Sequence, residues 1–227
     1  NLNVFPVRII IAAQCLHSVG GAWASKYKKL DEVSVAYVGD GGTSEGNFHE
    51  ALNFAGVYQL PIIFFVQNNQ WAITVPISKQ TASQSIAQKA LAYGIDGIQV
   101  DGNDVIAVHE VMKDAIEKAR NGNPILIEAM TYRQGPHTTA DNAKRYRSDE
   151  EEAEWLKKDP IQRMKGLLMT RKLINEEKNN DLYTRAKQLV TESFESALKS
   201  EPTTMADVIN NVYHLKTPQL KDQLSSL

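Results

Sequence analysis

The sequence predicts a doubly wound α/β fold with a mainly parallel sheet, followed by a C-terminal helical extension. Three observations lead there. Short runs of β-branched and apolar residues alternate with helix-length stretches over the first 132 residues. The first three apolar runs end on turn signals: Gly-Asp-Gly, Asn-Asn and Asp-Gly-Asn. After Tyr132 the alternation stops, and charged helix formers take over. At 227 residues with 42% hydrophobic side chains, the chain can bury the core such a fold needs.

Residues 6–29 carry apolar and small side chains, which suits a helix packed closely on a sheet, with Lys26, Lys28 and Lys29 in its last turn. VSVAYV at 33–38 reads as a central parallel strand. A helix over 44–58 places Phe48, Leu52, Ala55 and Gly56 on one face, and PIIFFVQ at 61–67 is the next buried strand. Helix 83–93, strand 97–100, helix 104–121 capped by Asn103 or Asp104, and strand 124–132 continue the alternation. Residues 133–149 form a long polar loop with Gly-Pro and no apolar period. Helices follow over 149–157, 159–170 and 175–200, with two short ones near the end. The predicted division is a domain over 1–148 and an extension over 149–227.

A formal charge of -2, from 25 basic and 27 acidic side chains, offers no general attraction to nucleic acid or an anionic membrane. No apolar run reaches the roughly 18 residues that a spanning helix needs. One cysteine excludes an internal disulfide and fits a reducing, cytoplasmic setting. Cys15 lies in an apolar run, where it reads as a small buried side chain. The first residue is Asn1 rather than Met, and the chain reads as the later part of a longer one.

Function concentrates between Gly39 and Thr74. Parallel sheets bind ligands outside the carboxyl ends of their strands, and Asp40 and Asn68-Asn69 each follow a strand. Gly39, Gly41 and Gly42 let backbone approach an anion, and the helix beginning near Ser44 adds its positive dipole end. This arrangement suits a diphosphate bridged to Mg²⁺. The oxygen donors would be the Asp40 carboxylate, the Asn69 side-chain carbonyl and the Trp71 main-chain carbonyl, with Asn68 better suited to holding the turn. Gly-Asp-Gly alone is a common turn and Asn-Asn a common strand end. Their placement one βαβ unit apart is what favours the site.

Gly-Asp-Gly followed, after residues 42–67, by Asn-Asn resembles the thiamine diphosphate motif of transketolases, decarboxylases and 2-oxoacid dehydrogenases. The longer strings VAYVGDGGTSEGNFHEALNFAG, IAQKALAYGIDGIQVDGND, TYRQGPHTTAD and RYRS resemble the alpha chain of the dehydrogenase component of 2-oxoacid dehydrogenase complexes, nearest to the pyruvate-specific chain of Gram-positive bacteria. The resemblance implies a fold of the thiamine diphosphate-binding type and assigns Asp40, Gly41, Gly42, Asn69, Trp71 and Ala72 to the metal and diphosphate. It adds Ile9 and Ile11 near the aminopyrimidine ring, although composition alone reads the isoleucines at 9–11 as core. Ala12 stands where many relatives have glycine. Arg133 and His137 match residues that relatives set against the diphosphate, His137 being the candidate catalytic residue; Asp141, Tyr146 and Arg147 match residues that order the loop. Thr138 takes the place of a serine phosphorylated in mitochondrial relatives, and no such regulation is inferred.

By resemblance, the activity is oxidative decarboxylation of a small 2-oxoacid, pyruvate first, with transfer of the acyl group to lipoyl on the acyltransferase component. A beta subunit would complete an alpha2beta2 heterotetramer and supply the acid that activates the aminopyrimidine, since Glu45 suits the helix start better. The charge of the loop at 133–149 and its lack of apolar anchors lead us to expect it to order only when thiamine diphosphate is bound. Branched-chain 2-oxoacid or acetoin dehydrogenase alpha chains are the nearest alternatives. A non-catalytic scaffold subunit is a remote one, and neither nucleotide-binding glycine motif is present.

Overall fold

The structure, a computed structural model, describes residues 3–227. Helix α1 (Ala13–Tyr27) leads to strand β1 (Ser34–Gly39), a 3₁₀ turn (Asp40–Ser44), α2 (Gly46–Tyr58) and β2 (Ile62–Asn68). A two-strand ribbon, β3 (Trp71–Ala72) with β4 (Val75–Pro76), precedes the single turn α3 (Ile77–Gln80). A 3₁₀ segment (Ala87–Tyr93), β5 (Asp96–Asp101), α4 (Val105–Arg120) and β6 (Ile125–Met130) follow. After a further 3₁₀ turn (Ala143–Arg145) come α5 (Asp149–Leu156), α6 (Pro160–Thr170), α7 (Glu176–Leu198), α8 (Met205–Asn210) and α9 (Pro218–Ser225).

Four strands pair in parallel in the order β1-β2-β6-β5. Side chains alternate across a strand, so β2 feeds two cores. Phe64 and Val66 point with Leu126 into one, packed by Cys15 and Val19 of α1 and Phe48 and Leu52 of α2. Ile63 and Phe65 join Ile125 and Ile127 in the other, covered by Ala115 and Ala119 of α4. Among the described residues, helices therefore lie on both faces of an all-parallel four-stranded sheet.

Several elements depart from the sequence reading. Among the described residues β1 is an edge strand and not a central one; its Tyr37 is exposed, and the Tyr37 carbonyl accepts a 2.9 Å hydrogen bond from Gln14 Nε2. Helix α1 starts at Ala13 instead of residue 6, because Pro6 and the β-branched Val7, Ile9, Ile10 and Ile11 precede a left-handed Ala12 at φ 63°. The stretch expected as helix 83–93 is a 3₁₀ segment from Ala87 onward. Asp104 is the cap of α4, accepting from the amides of Ile106 and Ala107. Lys26 does more than sit in a last turn: its ammonium donates to the carbonyls of Tyr58 and Gln59, capping α2.

The chain divides into two compact units, the first ending at Leu167 and the second Leu168–Leu227. Helix α5, assigned from sequence to the extension, falls in the first. In the second, Asn175 caps α7, and a reciprocal Thr204–Asp207 capping box starts α8.

Candidate functional site

Strands β1 and β2 run in register to Gly39 beside Gln67, so Asp40 and Asn68-Asn69 leave the sheet at the same end. Asp40 is 1% exposed. The 3₁₀ turn that carries it is braced from within: Thr43 Oγ1 donates to the Asp40 carbonyl at 2.8 Å, and Lys89 Nζ donates to the Thr43 carbonyl at 2.8 Å. Burial holds the Lys89 ammonium below its ordinary pKa, with Glu128 partly opposing. Glycine is required next to Asp40. A Cβ on Gly41 would lie 2.7 Å from Ala72 Cβ, and one on Gly42 would lie 2.5 Å from Val38 Cγ2 and 3.3 Å from Ile11 Cγ2. Gly41, Gly42, Ala72 and Ile11 are thereby brought together. The helix start is displaced from Ser44 to Gly46.

The second segment is a tight turn with Gln70 at φ 74° and Ile73 at φ 56°. Asn68 holds it: its Nδ2 donates to the buried Glu128 at 2.7 Å, and its Oδ1 accepts from the Gln70 amide at 3.1 Å. Asn69 Oδ1 accepts from the Trp71 amide at 3.1 Å, and the Trp71 carbonyl accepts from Arg133 Nη1 at 3.1 Å. Glu128 also accepts from the Ala87 amide and from Gln99 Nε2, fastening β6 to three earlier segments.

The loop beyond β6 is anchored by charge and aromatic rings, which a search for apolar periodicity passes over. Arg133 Nη2 donates to the Ile73 carbonyl at 2.8 Å and to Tyr146 Oη at 2.7 Å. Asp141 accepts from Tyr146 Oη at 2.5 Å and from the His137 amide at 2.7 Å, and these bonds hold its carboxyl below the usual range. Arg147, its side chain 2% exposed, donates to the carbonyls of Arg133, Gln134 and Gly135 and lies over the Tyr132 ring. Tyr132 in turn stacks on Trp155. His137 itself is exposed.

Ile9, Ile10 and Ile11 are 94%, 73% and 59% exposed, which overturns their reading as core. They run outside α1, ahead of the left-handed Ala12, where no sheet face covers them. Ile11 reaches Gly42, while Ile9 points away from the protein interior.

Sequence reasoning missed Gln80 and Lys89. Gln80 Nε2 donates to Asp40 Oδ2 at 2.8 Å, and its Oε1 is buried without a hydrogen-bond partner among the described residues. Neither residue belongs to a recognisable motif. The β3-β4 ribbon and the 3₁₀ segment deliver them to the turn, so their placement is a property of the tertiary structure. Among the described residues no group of three or more His, Cys, Asp and Glu forms a metal cluster. The oxygens around Asp40 are instead one carboxylate and neutral amide and main-chain carbonyls.

The sequence profile described as "Dehydrogenase E1 component" matches residues 1–206. Over 223 residues the chain is 47% identical to the 3-methyl-2-oxobutanoate dehydrogenase subunit alpha of Mycobacterium tuberculosis, covering 98% of this chain and 61% of the relative. It is 44% identical over 224 residues to the pyruvate dehydrogenase E1 component subunit alpha of Staphylococcus aureus, covering 98% and 60%. The chain thus spans about three fifths of the length of these relatives.

Proposed function

We propose that this chain, which belongs to the dehydrogenase E1 component family, binds the metal–diphosphate end of thiamine diphosphate within the alpha subunit of a 2-oxoacid dehydrogenase that acts on pyruvate. The observation that carries this reading is the buried Asp40 at a strand end, flanked by Gly41 and Gly42, with an unpartnered amide oxygen of Gln80 beside it. A single carboxylate among neutral oxygens is a donor set that fits a hard cation such as Mg²⁺, which keeps phosphate and water in its shell.

In this reading Asp40, the Asn69 amide oxygen and the Trp71 carbonyl hold Mg²⁺. Asn69 would turn its oxygen from the Trp71 amide to the ion. Gly41, Gly42 and Ala72 let the diphosphate approach the backbone. Arg133, next to the Trp71 carbonyl, and His137 close on the phosphate oxygens, where an arginine fork and an imidazole are good partners. Ile11, in contact with the glycine turn, supports the cofactor from the side, and Ile9 meets its ring. Thiamine diphosphate, when bound, supplies the electron sink for decarboxylation. A beta subunit covers the exposed isoleucines and provides the activating acid, and the lipoyl acyltransferase component accepts the acyl group. The second reading, a branched-chain substrate, is favoured by the mycobacterial relative's name. Product analysis with pyruvate and 3-methyl-2-oxobutanoate as competing substrates separates the two.

The test is calorimetric titration of the full-length chain, assembled with its beta subunit, with thiamine diphosphate in the presence and absence of Mg²⁺. Metal-dependent binding that Asp40→Asn weakens at least about 100-fold is the expected result, as for loss of a charged ligand at a buried ion. Binding indifferent to metal, or to Asp40→Asn, overturns the reading.

A further inference from the structure

We propose that Gln80 is a positioning residue for the divalent cation: its amide nitrogen fixes the Asp40 carboxylate, and its amide oxygen accepts a hydrogen bond from a water in the ion's hydration shell. The proposal rests on the metal–diphosphate reading above. Gln80 is the last residue of α3, a single helical turn that the β3-β4 ribbon sets against the Asp40 turn. A primary amide has two donor hydrogens and one oxygen acceptor. Both hydrogens of Nε2 have partners, Asp40 Oδ2 at 2.8 Å and the Val75 carbonyl at 3.1 Å. The direction of Oε1 is thereby set.

That oxygen is buried and has no donor among the described residues. It faces the glycine after the carboxylate: a Cβ built on Gly41 would lie 3.8 Å from it. Buried side-chain acceptors are nearly always satisfied, and a donor that arrives with a ligand at this position would satisfy this one. A phosphate oxygen has no hydrogen to give. Mg²⁺, by contrast, retains several waters because it dehydrates reluctantly, and each is a strong donor. The same bond occupies Asp40 Oδ2 and leaves Oδ1 for the ion, so one side chain selects the ligating oxygen and reads the ion's hydration. Groups of this kind, one bond beyond the ligands, commonly change metal affinity by about 10–100-fold.

The experiment is an electron paramagnetic resonance titration of Mn²⁺ into the full-length chain assembled with its beta subunit, at saturating thiamine diphosphate. Gln80→Met keeps the size of the side chain without either polar function, and Gln80→Ala removes it. Either variant that assembles is expected to bind Mn²⁺ about 10–100-fold more weakly, with thiamine diphosphate binding restored by excess Mn²⁺. Wild-type Mn²⁺ affinity in the variants overturns the role of Gln80 and leaves the cofactor reading intact. So does a loss of thiamine diphosphate binding that excess Mn²⁺ does not restore, or failure of both variants to assemble, since either makes Gln80 a structural brace. If the unsubstituted protein binds no Mn²⁺ with thiamine diphosphate, the cofactor reading itself fails.

Discussion

Two residues show how far local environment overrides residue type. Cys15 belongs to the class of potential nucleophiles, yet burial pushes its thiol from 9.0 up to about 12. Native protein at pH 8 should resist iodoacetamide, and urea should expose one reactive thiol; labelling read by mass spectrometry checks this. Because the folded thiol is the weaker acid, the stability it provides is complete below about pH 9 and declines as pH rises toward 12. Ala12 carries a different cost. A left-handed L-residue is disfavoured by about 1–2 kcal/mol, so Ala12→Gly should stabilise the protein by up to about 1 kcal/mol after the added freedom of the unfolded chain is counted. Ala22→Gly, in the middle of the same helix, should destabilise it by about 1 kcal/mol or more in denaturant titration. The family resemblance alone suggested a departure from glycine at position 12; that the residue is a left-handed, fully buried helix cap was not legible, since one sequence does not display φ.

At the scale of elements, the loop over 133–149 is held by Arg147. Its guanidinium serves three consecutive main-chain carbonyls, and substitution would leave those acceptors unpaired under Tyr132. Arg147→Met should cost about 2–4 kcal/mol in local stability, charge-assisted bonds being worth roughly 1.5–3 kcal/mol each before compensation. Limited trypsin digestion should then cut at Lys144 or Arg145 much faster than in the unsubstituted protein. The loop's existence and its arginines were readable from the broken periodicity after Tyr132. Its anchoring was not, because the ring and carbonyl partners come from Tyr132 just beyond β6, from α5 and from the turn at Ile73. The same limit explains Ile9, Ile10 and Ile11. Composition says that isoleucines are buried and is silent on whether the cover belongs to this chain. Strands β2 and β6 were legible because apolar runs buried on both faces leave few alternatives.

For the whole first unit, pH acts through its interior. His49 is held below its ordinary 6.5 by burial first and by the Lys89 charge second, against a hydrogen bond with the Thr43 backbone that favours protonation. The unfolded chain therefore takes up this proton first as pH falls. The stabilisation is complete above about pH 6.5 and is lost progressively below it. The carboxyls of Asp101 and Asp141, also held low, act only near and below 3.8. Thermal stability should thus fall as pH drops from 7.5 to 5.5, and His49→Gln should flatten that slope.

The strand order carries a consequence for the chain as it is made. In β1-β2-β6-β5 an inner strand, β6, is the last to be synthesised, and all three partners of its Glu128, at residues 68, 87 and 99, precede it. At roughly 5–20 residues per second, β2 waits several seconds for the neighbour that covers its inner edge. During that interval the ribosome presents one half of a sheet whose closing strand has yet to emerge. The nascent protein must keep Ile62 to Asn68 from pairing with anything else. The glycine turn that holds Asp40 is complete in covalent terms long before Lys89, Gln80 and β6 exist to give it shape.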